Sequence, residues 1–121
     1  MDFCTTRDDM TYDTFASMHV KEPAIDNSLI KSASEFAETA IVTLSRFSAE
    51  GVDRRPIPSD YYLSDVEKTL LDEVTKCFKK VIVVINSGGV LDCEFLAENA
   101  GVNAILMSWQ GGLEGGSAIA D

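Results

Sequence analysis

Carboxylates and guanidinium groups crowded onto one glycine-bearing loop can transfer protons and hold polar ligands. One stretch of this 121-residue chain gathers them: Arg46, Ser48, Glu50, Asp53, Arg54 and Arg55. Glu50 is followed by Gly51. A carboxyl on a Gly-flanked loop can be brought over a bound substrate, and partial burial raises its pKa toward neutrality, as a general acid/base requires. The plain alternative is a solvated loop acid. Asp53 and Arg54 suit either a local ion pair that holds the loop or contact with a polar ligand. Arg46 directly follows a strand run, so it either serves a ligand or snorkels along the sheet edge.

The other chemistry-bearing types form weaker patterns. The pairs Gly88-Gly89, Gly111-Gly112 and Gly115-Gly116 could cradle phosphate at helix N-termini. Neither a G-x-G-x-x-G nor a Walker loop accompanies them, and close backbone packing or positive φ explains them as well. Trp109 could stack on a sugar or close the edge of a core. His19 is the only histidine and has no triad partner motif. Cys4, Cys77 and Cys93 share no close spacing, which suggests neither a disulfide framework nor a zinc site. Cys77 and Cys93 sit among apolar neighbours and read as small core residues. A reducing compartment is favoured, hence slightly the cytoplasm, and no cofactor or metal is expected.

These loops need elements to hold them. Residues 1–23 are polar and aperiodic and read as an arm or loop, leaving 24–121 as the folded part. From Asp26, Leu29, Ile30, Ala33, Phe36, Ala37 and Ala40 recur at helical spacing, with Asp26 or Ser28 as cap. Ala40 to Ser45 reads as a buried strand. Arg46 to Leu63 is a long loop broken by Gly51, Pro56 and Pro58, and loops of that length are usually functional or disordered. Ser64 and Glu67 form a capping box, after which Val66, Leu70, Val74 and Phe78 mark one helical face. Lys76, Lys79 and Lys80 complement that helix's C-terminal dipole. Val81 to Ile85 is a continuous apolar strand of the kind covered on both faces. Asn86 to Gly89 turns it, Leu91 to Asn99 reads as a short helix, Asn103 to Ser108 as a third strand, and Ser117 to Asp121 as the start of a last helix. Strand and helix alternate with buried-type strands, which predicts α/β architecture. The expected fold is part of a three-layer sandwich, a short and mainly parallel sheet flanked by helices.

Composition closes off several functions. Hydrophobic residues are 45% and charged residues 25%, values of an ordinary globular domain. Twenty Asp and Glu against ten Lys and Arg give a net charge of -10, a field that repels phosphate backbones and anionic lipid. Neither nucleic acid nor a membrane is an expected partner. The first residues lack the basic and apolar regions of a signal peptide. Three buried-type strands cannot cover themselves, so exposed edges and apolar patches are expected to pair copies of the chain into a homo-oligomer.

Three motifs together resemble glycoside hydrolase family 3, the β-glucosidases and their relatives. Ser45 to Arg54, SRFSAEGVDR, resembles the family's S-R-x-S-G-E-G-x-D-R loop, with Ala49 where Gly is usual. Tyr61 to Asp65 continues as that family does, and VIVVINSGGVLD at Val81 to Asp92 is similar to its next strand and turn. Ala104 to Asp121 is similar to its A-I-L-x-A-W-x-G-G-Q-E-G-G-x-A-I-A-D signature. The likeness covers residues 22–121. It implies a two-domain enzyme in which a (β/α)8-type barrel carries a nucleophilic Asp and an α/β sandwich supplies the acid/base Glu. The chain resembles the central part of that C-terminal sandwich domain. Glu50 takes the acid/base position, with Arg46, Asp53 and Arg54 as substrate-binding or loop-supporting residues. The implied partners are a carbohydrate substrate and the missing barrel domain, and the chain alone is expected to be inactive. A non-catalytic α/β binding or assembly module is the alternative.

Overall fold

The structure, a computed structural model, describes residues 23–46 and 54–121. The elements run α1 (Asn27–Phe36), β1 (Thr39–Arg46), α2 (Asp65–Cys77), β2 (Lys80–Ser87), α3 (Glu94–Glu98), β3 (Ala104–Met107) and α4 (Gly115–Ala120). The strands form one parallel sheet in the order β1-β2-β3. The α/β class read from alternating strand and helix patterns is the class observed.

Local chemistry sets the boundaries. Asp26 starts α1 by accepting from the Ser28 and Leu29 amides, at 2.9 and 3.3 Å, which satisfies donors the first turn cannot bond internally. Its carboxyl lies below the usual carboxylate value because the Ser28 hydroxyl, then the Leu29 and Ser28 amides, donate to it. The helix stops at Phe36, and Ala40 falls in β1. The capping box opens α2 as expected: Ser64 Oγ accepts from the Glu67 amide at 3.0 Å, and Glu67 Oε2 accepts from the Ser64 amide at 2.7 Å. Of the expected α2 face, Val74 is buried and Leu70 and Phe78 pack half-buried against the core, while Val66 does not join them. Glu67, Leu71 and Val74 are buried, and Val66 is 39% exposed.

The core lies between one face of the sheet and the crossover helices. Strand alternation points Val42, Leu44 and Arg46 of β1 and Val81, Val83, Ile85 and Ser87 of β2 to that face, all of them buried. Leu71 and Val74 of α2, Leu96 of α3, and Leu63 and Leu91 of the connections fill the space above. Gly101 lets the chain pass α2, since a Cβ there would meet the Thr75 Cβ at 2.4 Å.

A strand such as β2 calls for cover on both faces, and three such strands cannot supply it themselves: among the described residues the opposite face is open, with Ile41 68% and Leu106 43% exposed beside half-buried Ile82 and Val84. A correction concerns the cysteines. Cys77 is exposed, while Cys93 is half-buried and packs against the core. Cys77 ends α2 off the stripe made by Leu71 and Val74, so its apolar sequence neighbours do not carry it inward. Burial raises the Cys93 thiol's pKa, with the Asp92 charge adding to it.

Candidate active-site edge

Ligand sites of open parallel sheets gather at the carboxyl ends of the strands. At that edge β1 ends in Arg46 and β2 in Ser87, which are register partners. Their alternation places both side chains on the buried face. Arg46 is 8% and Ser87 0% exposed. A guanidinium buried there must have its donors satisfied and its charge opposed.

Glu67 does both. Arg46 Nη1 donates to Glu67 Oε1 at 2.6 Å and Nη2 to Oε2 at 2.7 Å, a bidentate pair with both side chains 5% exposed. Nη1 also donates to the Ser45 carbonyl at 2.9 Å, and Nε to the Asp60 carbonyl at 3.0 Å. Arg46 therefore neither reaches outward to a ligand nor snorkels along the edge. It fixes the end of β1 to the start of α2.

Arg54 marks the other end of the candidate loop. Its Nη1 donates to Asp60 Oδ1 and its Nη2 to Ser87 Oγ, each at 3.2 Å. The side chain lies over the turn after β2, where a Cβ built on Gly89 would stand 3.5 Å from Arg54 Nε. Ser87 Oγ donates to the Gly89 carbonyl at 2.9 Å and accepts from its amide at 3.3 Å, which shapes that turn. Asp60 Oδ2 accepts from the Arg55 amide at 3.1 Å and from Arg55 Nε at 3.3 Å. Burial pushes the Asp60 carboxyl up. The Arg55 amide, the Arg54 and Arg55 guanidinium groups and the Arg54 charge outweigh it and hold the carboxyl below its ordinary value.

Of the residues singled out in the sequence, Arg46 and Arg54 thus lie at one edge, 8 residues apart in sequence and joined through Asp60. Glu50 and Asp53 lie outside the described residues. No sequence motif marks Asp60, whereas Glu67 reads from the sequence only as part of a capping box and Ser87 only as part of the turn after Val81 to Ile85. A signal for Glu67 is nonetheless present: an Arg continuing the inward alternation Val42, Leu44, Arg46 demands a buried anion.

The third loop enters the same edge through Ser108, whose amide and hydroxyl both donate to the Ile85 carbonyl at 2.9 Å. Trp109 follows with φ 56°, a left-handed conformation that a bulky side chain rarely adopts, and is 54% exposed. It is not the edge of a core. Gly111 packs closely against α4, where a Cβ would lie 2.7 Å from the Gly115 Cα. Among the described residues no cluster of His, Cys, Asp or Glu could hold a metal ion, and no helix is long and apolar enough to cross a membrane.

Residues 14–121 match the glycosyl hydrolase family 3 C-terminal domain. The β-glucosidase A of Butyrivibrio fibrisolvens is 36% identical over 123 residues, an alignment covering 84% of this chain and 15% of that protein. A β-glucosidase from Paenibacillus barengoltzii superposes with TM-score 0.77 at 30% identity, over 84% of this chain and 11% of its own. β-Glucosidase 3B of Thermotoga neapolitana, solved with glucose, gives TM-score 0.72 at 36% identity, over 80% of this chain and 14% of its own. The chain thus spans between 11% and 15% of the length of these relatives.

Proposed function

The chain belongs to glycosyl hydrolase family 3 through that family's C-terminal domain, and from this premise we propose that it carries the acid/base loop of a retaining β-glycosidase, with Glu50 as the proton-transferring carboxyl. Family membership combined with the SRFSAEGVDR stretch between Ser45 and Arg54 supports the reading. So does the anchoring of residues on either side of Glu50, Arg46 and Arg54, at the carboxyl edge of a parallel sheet.

Retaining hydrolysis needs two carboxyl groups about 5–5.5 Å apart. One attacks the anomeric carbon. The other protonates the departing glycosidic oxygen as that bond breaks, then takes a proton from the water that releases the glycosyl group. Glu50 fills the second role. The nucleophilic Asp comes from a barrel domain outside this chain. The substrate is a β-linked glucoside or a close relative, as the names of the similar β-glucosidases suggest.

Glu50→Gln in the two-domain enzyme tests this. It is expected to lower turnover on unactivated alkyl glycosides or disaccharides by roughly 100-fold, and on activated aryl glycosides far less, because a good leaving group needs little protonation. Equal losses on both would remove Glu50 from the role. The isolated chain, lacking the nucleophile, is expected to show no glycosidase turnover. The outer face of the sheet, open among the described residues, favours a second reading, a non-catalytic assembly module. Reconstitution of the chain with a matching barrel domain, assayed on an aryl β-glucoside, separates the two.

A further inference from the structure

A cleft of about 470 Å³ lies between the connection that carries Pro58, Tyr62 and Leu63, the start of α2, and α3. That volume is within the range of small-molecule sites. Its walls are fixed by the fold. The Tyr62 amide donates to the Ile57 carbonyl and the Ser59 amide to the Tyr62 carbonyl. The Asp92 amide donates to the Tyr61 carbonyl at 2.9 Å, which ties this connection to the approach of α3. The Tyr62 ring stands edge-on to that of Tyr61, with centroids 5.0 Å apart, and Tyr62 remains 40% exposed. Leu63, 2% exposed, roots the connection in the core.

The polar groups that line the cleft are of both signs and do not satisfy one another. Asp92 is half-buried, and Glu94 and Glu98 are exposed and share one face of α3 at i and i+4. Among the described residues, none of these three carboxylates accepts a side-chain hydrogen bond or pairs with a cation. Lys68 of α2 is half-buried in the same lining and forms no ion pair among the described residues. Its ammonium lies instead over the Phe95 ring, 5.8 Å from the centroid.

This combination selects a ligand. An anion is repelled by three carboxylates, and a hydrocarbon leaves every charged group without a partner. A simple cation finds the carboxylates but opposes the Lys68 charge and leaves its donors unused. A hydroxyl serves both signs, donating to a carboxylate and accepting from an ammonium. The exposed Tyr62 ring adds an apolar surface beside these groups. We propose that the cleft binds a neutral, hydroxyl-rich ligand, a pyranose sugar, which lies on Tyr62, donates to Asp92 and the α3 carboxylates, and accepts from Lys68. Neither Glu50 nor any residue between 47 and 53 takes part, so binding here is independent of the acid/base role of Glu50 and goes beyond it.

Titration of the 121-residue chain with cellobiose, a β-linked glucose disaccharide, followed by amide NMR, tests this. Saturable shifts are expected at the amides of 58–68 and 91–98, with a dissociation constant on the order of 1–10 mM. Tyr62→Leu keeps apolar bulk but removes the aromatic face, and is expected to weaken binding roughly tenfold. Lys68→Met keeps the stem but removes the donor. It is expected to weaken binding roughly fivefold, and it decides the matter should Tyr62→Leu fail to fold. Glu50→Gln is expected to leave the affinity unchanged. The absence of saturable shifts overturns the proposal, as do shifts that lie outside the cleft or an affinity that survives both cleft substitutions. Binding lost in Glu50→Gln overturns it too, because the sugar is then held by the acid/base stretch. Spermidine, a polyamine, is the competing probe. Cleft shifts that it produces at lower concentration than cellobiose, and that Lys68→Met strengthens, mark a cation site and overturn the sugar assignment. An absence of leaving-group dependence in Glu50→Gln of the two-domain enzyme, by contrast, removes only the acid/base reading and leaves the sugar affinity of the cleft as measured.

Discussion

Removing the Glu67 side chain is the sharpest test of how this edge is built. Glu67 is 4% exposed and both its oxygens are engaged. Oε2 serves twice, accepting from Arg46 Nη2 and from the Ser64 amide, each at 2.7 Å. Glu67→Ala therefore leaves a guanidinium inside the protein without its anion and opens half of the α2 cap. Breaking a buried pair by deleting one partner costs about 3–5 kcal/mol, and losing part of a cap costs up to ~1 kcal/mol. The losses share one residue and do not simply add, so ~4 kcal/mol is the expected total. At about 4–8 °C per kcal/mol for a domain near 100 residues, the melting point should fall by roughly 15–30 °C. Urea unfolding followed by circular dichroism reads the difference directly. Glu67→Gln can keep the cap acceptor while it removes the charge and turns an NH2 group toward Arg46 Nη1, so it should cost somewhat less than alanine and stays measurable if the alanine variant does not fold. The double change Arg46→Met with Glu67→Leu should return most of the stability, because an apolar pair of similar volume avoids the desolvation of both charges. A Glu67→Ala cost below ~1 kcal/mol would refute the reasoning, since only solvent-exposed pairs are that weak.

Two further outcomes are expected of the same fold. The Asp60 carboxyl titrates below its ordinary value of 3.8 because its arginine and amide donors outweigh burial. The stability it adds is thus complete above that value and lost as pH falls through the lower native one. Urea midpoints of the wild type and Asp60→Asn should accordingly differ by a constant amount from about pH 5 upward and converge in acid. The open outer face, with Ile41 68% and Leu106 43% exposed, is expected to draw copies of the chain together at high concentration. Light scattering that returned only the mass of a single chain would refute this.

Much of the fold was legible because it is written in local pattern. The apolar run at Val81, the capping box at Ser64 and Glu67, and the helical spacing after Asp26 each depend on residues a few positions apart, and each element formed within a few residues of its expected limits. What the pattern could not carry was any fact settled by distant partners. Arg46 and Glu67 are 21 residues apart, and nothing local to either announces the other. Glu67 read as a cap and no more, although its carboxylate also serves Arg46. At the start of α2 that ion pair takes Glu67 inward where Val66 was expected, while Leu70, Val74 and Phe78 still meet the core. The left-handed turn after β3 fell on Trp109 instead of the glycine pair two residues on. The Glu50 loop was legible only as a motif, since a loop's function depends on a resemblance that spacing alone does not supply.

Because Arg46 and Arg54 meet at Asp60, the span between the loop's ends is set by groups that are not part of the loop. Closure entropy grows only slowly with loop length, by about 0.6 kcal/mol for each doubling. The contacts of Arg46 and Arg54 with Asp60, Glu67 and Ser87 are thus made by residues that bracket positions 47–53 in sequence. A family built on this arrangement could alter what its loop presents while the strands and helix beneath stay unchanged. Grafting loops of other lengths between positions 46 and 54 is the direct way to use it.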